Sequence, residues 1–256
     1  LPIVDLGTDK TAKQLVAGGY HTCAILNDDT VKCWGLGGNG RLGYGDTDIR
    51  GDGPNEMGNN LTTVNLGTDK TAKQLVAGGW HTCAILNDDT VKCWGWGGNG
   101  RLGYGDTEDR GDQANEMGNN LPIVDLGTDK TAKQLVAGDW HTCAILNDDT
   151  IKCWGYSTYG QLGYGDTDSR GDSPNEMGNH LPVVDLGTDK TAKQLAAGSA
   201  HTCAILNDDT IKCWGYGNHG QLGYGDKEDR GNQANEMGNN LPIVDLGTDK
   251  TAKQLV

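Results

Sequence analysis

The chain has 256 residues with a net charge of −14, and it contains 41 glycines, 8 cysteines and no phenylalanine. Only 35 % of its residues are hydrophobic, which excludes one large core. Its glycine share is more than double the usual value of about 7 %. The acids are spread evenly and leave no basic patch. That argues against a nucleic-acid backbone or an anionic membrane surface as partner, and no apolar run approaches the length of a membrane span.

Residues 1–60, 61–120, 121–180 and 181–240 align position for position without insertion, and 241–256 begins a fifth copy. A period this exact and this long implies stacked or radially arranged supersecondary units with small local cores between neighbours. The chain starts without methionine and stops where earlier copies run on, so it reads as a window on a longer array.

Within the first copy, residues 1–6 (LPIVDL) read as a short strand, with Pro2 suited to its start. Gly7-Thr8-Asp9 is turn chemistry, and 11–16 (TAKQLV) is a second short strand. Next comes a β-hairpin with strands 21–26 and 30–34 around Asn27-Asp28-Asp29. In that register Leu26 faces Thr30, Ile25 faces Val31, and Cys23 lies opposite Cys33. Facing residues in a non-hydrogen-bonded antiparallel pair have Cα atoms about 4.5 Å apart, within reach of a disulfide. Residues 35–60, rich in Gly, Asp, Asn and Arg, read as loop. Apolar residues on both faces of 31–34 suit a sheet sandwiched between neighbours.

The cysteines come only in pairs: Cys23 with Cys33, Cys83 with Cys93, Cys143 with Cys153, and Cys203 with Cys213. An even count at fixed spacing beside a thin core points to four disulfides and an extracellular or cell-surface location. His21-x-Cys23 with Cys33 supplies only three zinc ligands and no CxxC knuckle, so metal is the weaker reading. Reduced cysteines packed as small hydrophobes are a third.

Residues 17–22 (AGGYHT), 31–35 (VKCWG) and 40–46 (GRLGYGD) resemble the regulator of chromosome condensation repeat, and copies three and four carry the Gln of that pattern at Gln161 and Gln221. The resemblance implies β-propeller blades of four antiparallel strands, usually seven to a ring. The unit here is longer than the usual repeat, and the cysteine pair is an addition.

Several motifs bear on chemistry. Gly35-x-Gly37-x-x-Gly40 matches the dinucleotide fingerprint in letters only, because no helix follows. Arg170-Gly171-Asp172 resembles an integrin-binding loop, although a turn whose Arg and Asp pair locally is the plainer reading. Asp46, Asp48, Asp52 and Glu56 are the oxygens a Ca²⁺ ion would use. Arg50 interrupts the ligand order, however, so no metal or other cofactor is assigned. Asn60-Leu61-Thr62 is a glycosylation sequon, with Thr62 and Thr63 as alternative O-linked sites. His21, His81, His141 and His201 are expected to brace strands, and Trp34, Trp94, Trp154 and Trp214 to pack between blades. Trp80, Trp96 and Trp140 are expected at a surface.

Four near-identical environments offer no differentiated catalytic centre. The reading is therefore a non-catalytic, all-β extracellular repeat protein whose disulfide-clipped blades form part of a larger surface or filamentous assembly. Its expected partners are further copies of itself or other surface proteins. A secreted propeller that binds a protein or glycan is the alternative.

Overall fold

A computed structural model describes residues 2–255; Leu1 and Val256, the first residue of the expected first strand and the last of the fifth copy, lie outside it. Every repeat folds into a three-stranded antiparallel meander. The first sheet holds β1 (Ala12–Ala17), β2 (His21–Leu26) and β3 (Val31–Gly35), and the second holds β4 (Ala72–Ala77), β5 (His81–Leu86) and β6 (Val91–Gly95). The third comprises β7 (Ala132–Ala137), β8 (His141–Leu146) and β9 (Ile151–Gly155), and the fourth β10 (Ala192–Ala197), β11 (His201–Leu206) and β12 (Ile211–Gly215). The four sheets stand in sequence order as propeller blades, each packed on the next, and they do not close into a ring.

The hairpin follows from its residues. Asp29 sits in the left-handed region at φ 64°, which short polar side chains tolerate. The Asp28 carboxylate accepts the Thr30 hydroxyl at 2.7 Å and is paired with Lys10. The expected register holds, with Ile25 opposite Val31 and Cys23 opposite Cys33. All four cysteine pairs are bonded. Cys23 joins Cys33 at an S–S distance of 2.07 Å and Cys83 joins Cys93 at 2.11 Å. Cys143 joins Cys153 at 2.10 Å and Cys203 joins Cys213 at 2.08 Å, and the Cα separation is 4.1 Å in every pair. The readings of these cysteines as zinc ligands or as reduced thiols fall away, because among the described residues none is free.

Two expectations need correction. Residues 2–6 and their counterparts form no strand. Proline removes a donor in copies one, three and four, and an Asp or Asn side chain folds the chain back (Gly7 N–H to Asp5 Oδ1, 2.9 Å). What remains of pairing is isolated bonds, such as Val64 N–H to the Val31 carbonyl of the preceding blade at 2.8 Å and Gly118 N–H to the Asn65 carbonyl at 3.0 Å. The fourth strand implied by the family pattern is likewise reduced to a single bridge, Gly35 to Arg50 and its counterparts. The chain between them turns repeatedly, with Gly40, Gly43 and Gly45 at positive φ.

Cores form between blades, not within them. Cys23, Ile25, Val31, Cys33 and Leu42 of the first blade pack against Leu75, Ala84, Leu86, Trp94 and Met117 of the second, and the same set recurs at the next two seams. The first three disulfides are thereby sealed under the following blade, and Cys153 is fully buried. Cys213, in the last blade, keeps 5 % of its surface exposed. Polar contacts align the seam. The Gln14 amide donates to the Leu75 carbonyl at 3.1 Å and accepts the Leu75 N–H at 2.9 Å, completing the free edge of β4. Buried Lys32 donates to the Leu6 and Gly58 carbonyls at 2.9 and 2.7 Å, pinning the connector that lacks strand pairing.

Removing one clip tests its share of stability. Replacing Cys83 and Cys93 together by Ala is expected to lower the unfolding free energy by about 2–3 kcal/mol, from loop closure in the unfolded chain, read by urea titration. A loss below about 0.5 kcal/mol would mean that the seam alone holds the hairpin.

Candidate binding face

The end of the sheet where β2 begins and β3 stops carries side chains from two positions per repeat. Just beyond the last strand pair, the N–H of Trp96 bonds the Trp80 carbonyl at 3.0 Å, and Tyr156 does the same to Trp140. This bond brings side chains sixteen residues apart next to each other. It requires Gly95 at φ +109°, where a Cβ would meet the His81 backbone at 2.7 Å.

Neighbouring blades then join these pairs into one ridge. Ring centroids step from Tyr20 to Trp80 at 5.8 Å, to Trp96 at 6.0 Å, to Trp140 at 5.7 Å and to Tyr156 at 6.1 Å. The interplanar angles lie between 52° and 72°, the tilted and edge-to-face geometry that ring quadrupoles favour. Tyr159, Tyr216 and His219 make a second, shorter group. Tyr20 is 64 % exposed, and the three ridge tryptophans are half-buried.

Two arginines lie under the ridge. Arg41 sits 4.6 Å from the Trp80 ring, and Arg101 lies 3.9 Å from Trp96 and 5.1 Å from Trp140. Both are buried without a carboxylate partner; they use backbone carbonyls of Gly38 and Gly98 together with the π faces. Burial draws both guanidinium pKa values down. In copies three and four Gln161 and Gln221 take this place, so the cation-stacked part of the ridge belongs to the first two seams.

Behind the ridge runs a buried histidine ladder. His21 Nε2 meets Thr82 Oγ1 at 2.8 Å, His81 meets Thr142 at 2.8 Å, and His141 meets Thr202 at 2.9 Å. Thr82 Oγ1 also donates to the Arg41 carbonyl at 2.9 Å, so its lone pair must accept from an Nε2–H. That assigns the neutral Nε2–H tautomer and leaves Nδ1 bare, buried and without a partner. The ring fits only because Gly18 stands beside it, where a Cβ would collide with the His21 ring. The expectation that these histidines brace strands is met for His21, His81 and His141, across blades and not within one. Burial, with Arg41 adding to it, lowers His21 to about 4, and burial lowers His141 to about 3.

Among the other residues singled out by the sequence, the buried Trp94, Trp154 and Trp214 donate Nε1–H to the Arg41, Arg101 and Gln161 carbonyls. The Arg170 guanidinium pairs with Asp166 at 2.7 Å and lies over the Tyr164 ring, so it pairs four residues back and not with Asp172. Asp46 holds Arg50 in the same way, and Glu56 accepts the N–H groups of Gly51, Asp52 and Gly53. Asp48 is largely exposed and reaches the Arg50 guanidinium only at 3.9 Å, and among the described residues no three His, Cys, Asp or Glu side chains converge as a metal ion requires. Asn60, Thr62 and Thr63 are exposed. No helix among the described residues is long and apolar enough to cross a membrane.

The ridge itself escaped the sequence reading. Trp80, Trp96 and Trp140 appear irregular along the chain, whereas aligning the copies places Tyr20, Trp80 and Trp140 in one column and Trp96, Tyr156 and Tyr216 in another. Those columns were the available signal; their adjacency was not.

Comparison with known proteins agrees with the repeat architecture. Residues 12–41, 72–101, 132–161 and 192–221 match one model described as Regulator of chromosome condensation (RCC1) repeat, and residues 88–145 and 149–205 match a second of the same description. The Ultraviolet-B receptor UVR8 of Arabidopsis thaliana is 34 % identical over 221 residues, covering 84 % of this chain and 43 % of that protein. The human E3 ubiquitin-protein ligase HERC2 is 27 % identical over 238 residues, 86 % of this chain but 4 % of its own length. The chain thus spans less than half of either relative. Among solved structures, human WBSCR16 superposes with a TM-score of 0.70 at 18 % identity over 97 % of this chain and 58 % of its own. Prp20p of Saccharomyces cerevisiae gives 0.66 at 18 % identity over 89 % and 51 %.

The histidine ladder predicts an acid response. A buried base with a lowered pKa contributes stability that is complete above the unfolded value of about 6.5 and is lost as pH falls through it. Melting temperature should be flat from pH 9 to 7 and fall below about 6.5, with each buried imidazole costing on the order of 2–3 kcal/mol by pH 4.5. Asp28 and Asp88, held near 2, keep their full stabilising contribution above about 4 and lose it only as pH falls from there toward 2. A profile that stays flat down to pH 4.5 would contradict the neutral ladder.

Proposed function

Because this chain belongs to the RCC1 repeat family, built as tandem disulfide-clipped propeller blades, we propose that it is a non-catalytic binding scaffold whose aromatic ridge docks a protein partner. The ridge carries this reading. Trp, Tyr and Arg are the residues enriched where protein interfaces concentrate their energy. Here they form one continuous surface, pre-ordered by backbone bonds and by stacking on buried guanidinium groups, so little side-chain entropy is lost on docking. Structurally similar proteins have protein partners: yeast RCC1 (Prp20) is bound by Kap60, and Prp20p binds Gsp1p and histones. Both support a protein as the class of ligand for this fold. The ligase activity in the name of HERC2 belongs to a protein of which the matched repeats are a small part.

The disulfides support an oxidising location, extracellular or at the cell surface, since four buried bridges accumulate where thiols are not kept reduced. Self-assembly into a longer structural array is the second reading. It is favoured by the identity of the seam contacts, the same residues recurring at three successive junctions, as head-to-tail association requires. Glycosylation at Asn60, or on Thr62 and Thr63, fits the exposure of these residues and would mark a face left free by either assembly.

A pull-down from the host's extracellular fraction, followed by titration calorimetry with the recovered partner, tests the ridge. Replacing Trp80, Trp96 and Trp140 by Ala should weaken one saturable protein interaction by at least 2 kcal/mol, about thirtyfold. Binding unchanged in the triple variant, at unchanged melting temperature, would reject the ridge as the docking site.

A further inference from the structure

Away from the ridge, and sharing no residue with it, each inter-blade junction opens into a groove lined by the segments that connect one sheet to the next. Three successive grooves have volumes of about 630, 460 and 620 Å³, the size that encloses a small-molecule ligand or a few units of a polymer. One wall is the Gly-Tyr-Gly-Asp turn of one repeat, and the facing wall comes from the Asn-Glu-Met-Gly segment of the next. Neither repeat makes a groove alone.

The chemistry of the invariant wall is specific. Arg110 donates to Asp106 at 2.7 Å and to the Asp109 carbonyl at 3.1 Å, and Arg170 likewise holds Asp166 at 2.7 Å. Each guanidinium rests over a tyrosine ring, at 5.5 and 5.7 Å to the centroid. Each aspartate uses its second oxygen to accept a backbone N–H, from Glu108 at 3.0 Å and Asp168 at 3.0 Å. Both partners are therefore fixed in direction, yet they are partly open, with the aspartates 38 and 35 % exposed. An arginine has five N–H donors and a carboxylate about four acceptor positions. The pair thus retains unused donors and acceptors side by side at the groove wall.

This pattern selects among ligand classes. The pair is neutral as a unit, and a second acid, Asp125 or Asp185, also lines the groove, so an anion is disfavoured. A cation would have to displace Arg110 or Arg170 from its carboxylate. A ligand with adjacent hydroxyls, each both donor and acceptor, can use both members of the pair without carrying charge. Beside the pair stands an apolar patch, Pro122-Ile123 in the second groove and Pro182-Val183 in the third, with Ile123 54 % and Val183 49 % exposed. A pyranose presents that combination, an edge of hydroxyls and a face of C–H groups. We propose that the second and third grooves are binding sites for the units of a neutral oligosaccharide. The first groove has Thr62 and Thr63 where the others have Pro-Ile and Pro-Val; it lacks the apolar wall and is assigned no site.

The test is titration calorimetry of the full chain with malto-, cello-, manno-, galacto- and chito-oligosaccharides, and with oligouronates as the charged control. One neutral series should bind saturably with two sites per chain for a disaccharide. Ile123→Asp combined with Val183→Asp should weaken it at least tenfold. The milder Ile123→Thr with Val183→Thr, which copies Thr63 of the first groove, should do so with an unchanged melting temperature. The ridge substitutions Trp80→Ala and Trp140→Ala should leave sugar binding intact, which separates this site from the protein-docking ridge. The proposal is overturned if no neutral series binds at ~10 mM, a range where even weak single sites register. A preference for oligouronates, or binding that survives Ile123→Thr with Val183→Thr, overturns it equally.

Discussion

The seam between consecutive blades is the interaction on which this structure depends. No single blade can bury its own hydrophobic surface, because three short strands offer two apolar faces and no interior. Each blade covers its disulfide-bearing face only by receiving the Leu75, Trp94 and Met117 side chains of the next. One backbone carbonyl organises the polar part of that contact, since the Arg41 oxygen accepts both Thr82 Oγ1–H at 2.9 Å and Trp94 Nε1–H at 3.1 Å. His21 closes the same network from the other side. The register of one blade on its neighbour is thereby set by hydrogen bonds, while burial of Leu75 and its surroundings supplies the larger share of stability, about 1.5–3 kcal/mol for each such side chain.

Both surfaces with a functional reading are products of that seam. The ridge exists because the step between blades carries Trp80 of one repeat to within stacking distance of Tyr20 of the one before and places Arg41 beneath it. The grooves exist because a glycine-rich turn from one repeat faces an asparagine-rich segment from the next. A change at the seam would therefore alter both faces at once, whereas a change on either face need not disturb the seam. The long segment after each third strand, which carries little regular structure, is held by specific contacts: Glu56 gathers three backbone N–H groups, and Asp46 anchors Arg50.

The charge pattern has a similar division of labour. The net negative surface is carried by side chains that are mostly engaged locally, as Asp28 is by Lys10 and Thr30, and Asp46 by Arg50. Of the acids in the first acid-rich loop, Asp46 pairs with Arg50 and Glu56 accepts three backbone N–H groups. The Arg-Gly-Asp triplet at Arg170 is one of these turns, its guanidinium turned back toward Asp166.

The sequence alone determined the unit and its covalent chemistry. The sixty-residue period set the blades, the alternation around Asn27-Asp28-Asp29 set the hairpin, and the ten-residue spacing set Cys23 opposite Cys33, as it set Cys143 opposite Cys153 and Cys203 opposite Cys213. All of these depend on contacts close along the chain. It misjudged residues 2–6, where proline and an aspartate turn prevent strand pairing, and it saw Trp80, Trp96 and Trp140 as scattered. Only the tertiary structure decided that those rings join, that a histidine bonds a threonine sixty-one residues away, and that an arginine lies stacked beneath them. Such contacts depend on the angle between one blade and the next, and no local pattern of residues encodes that angle.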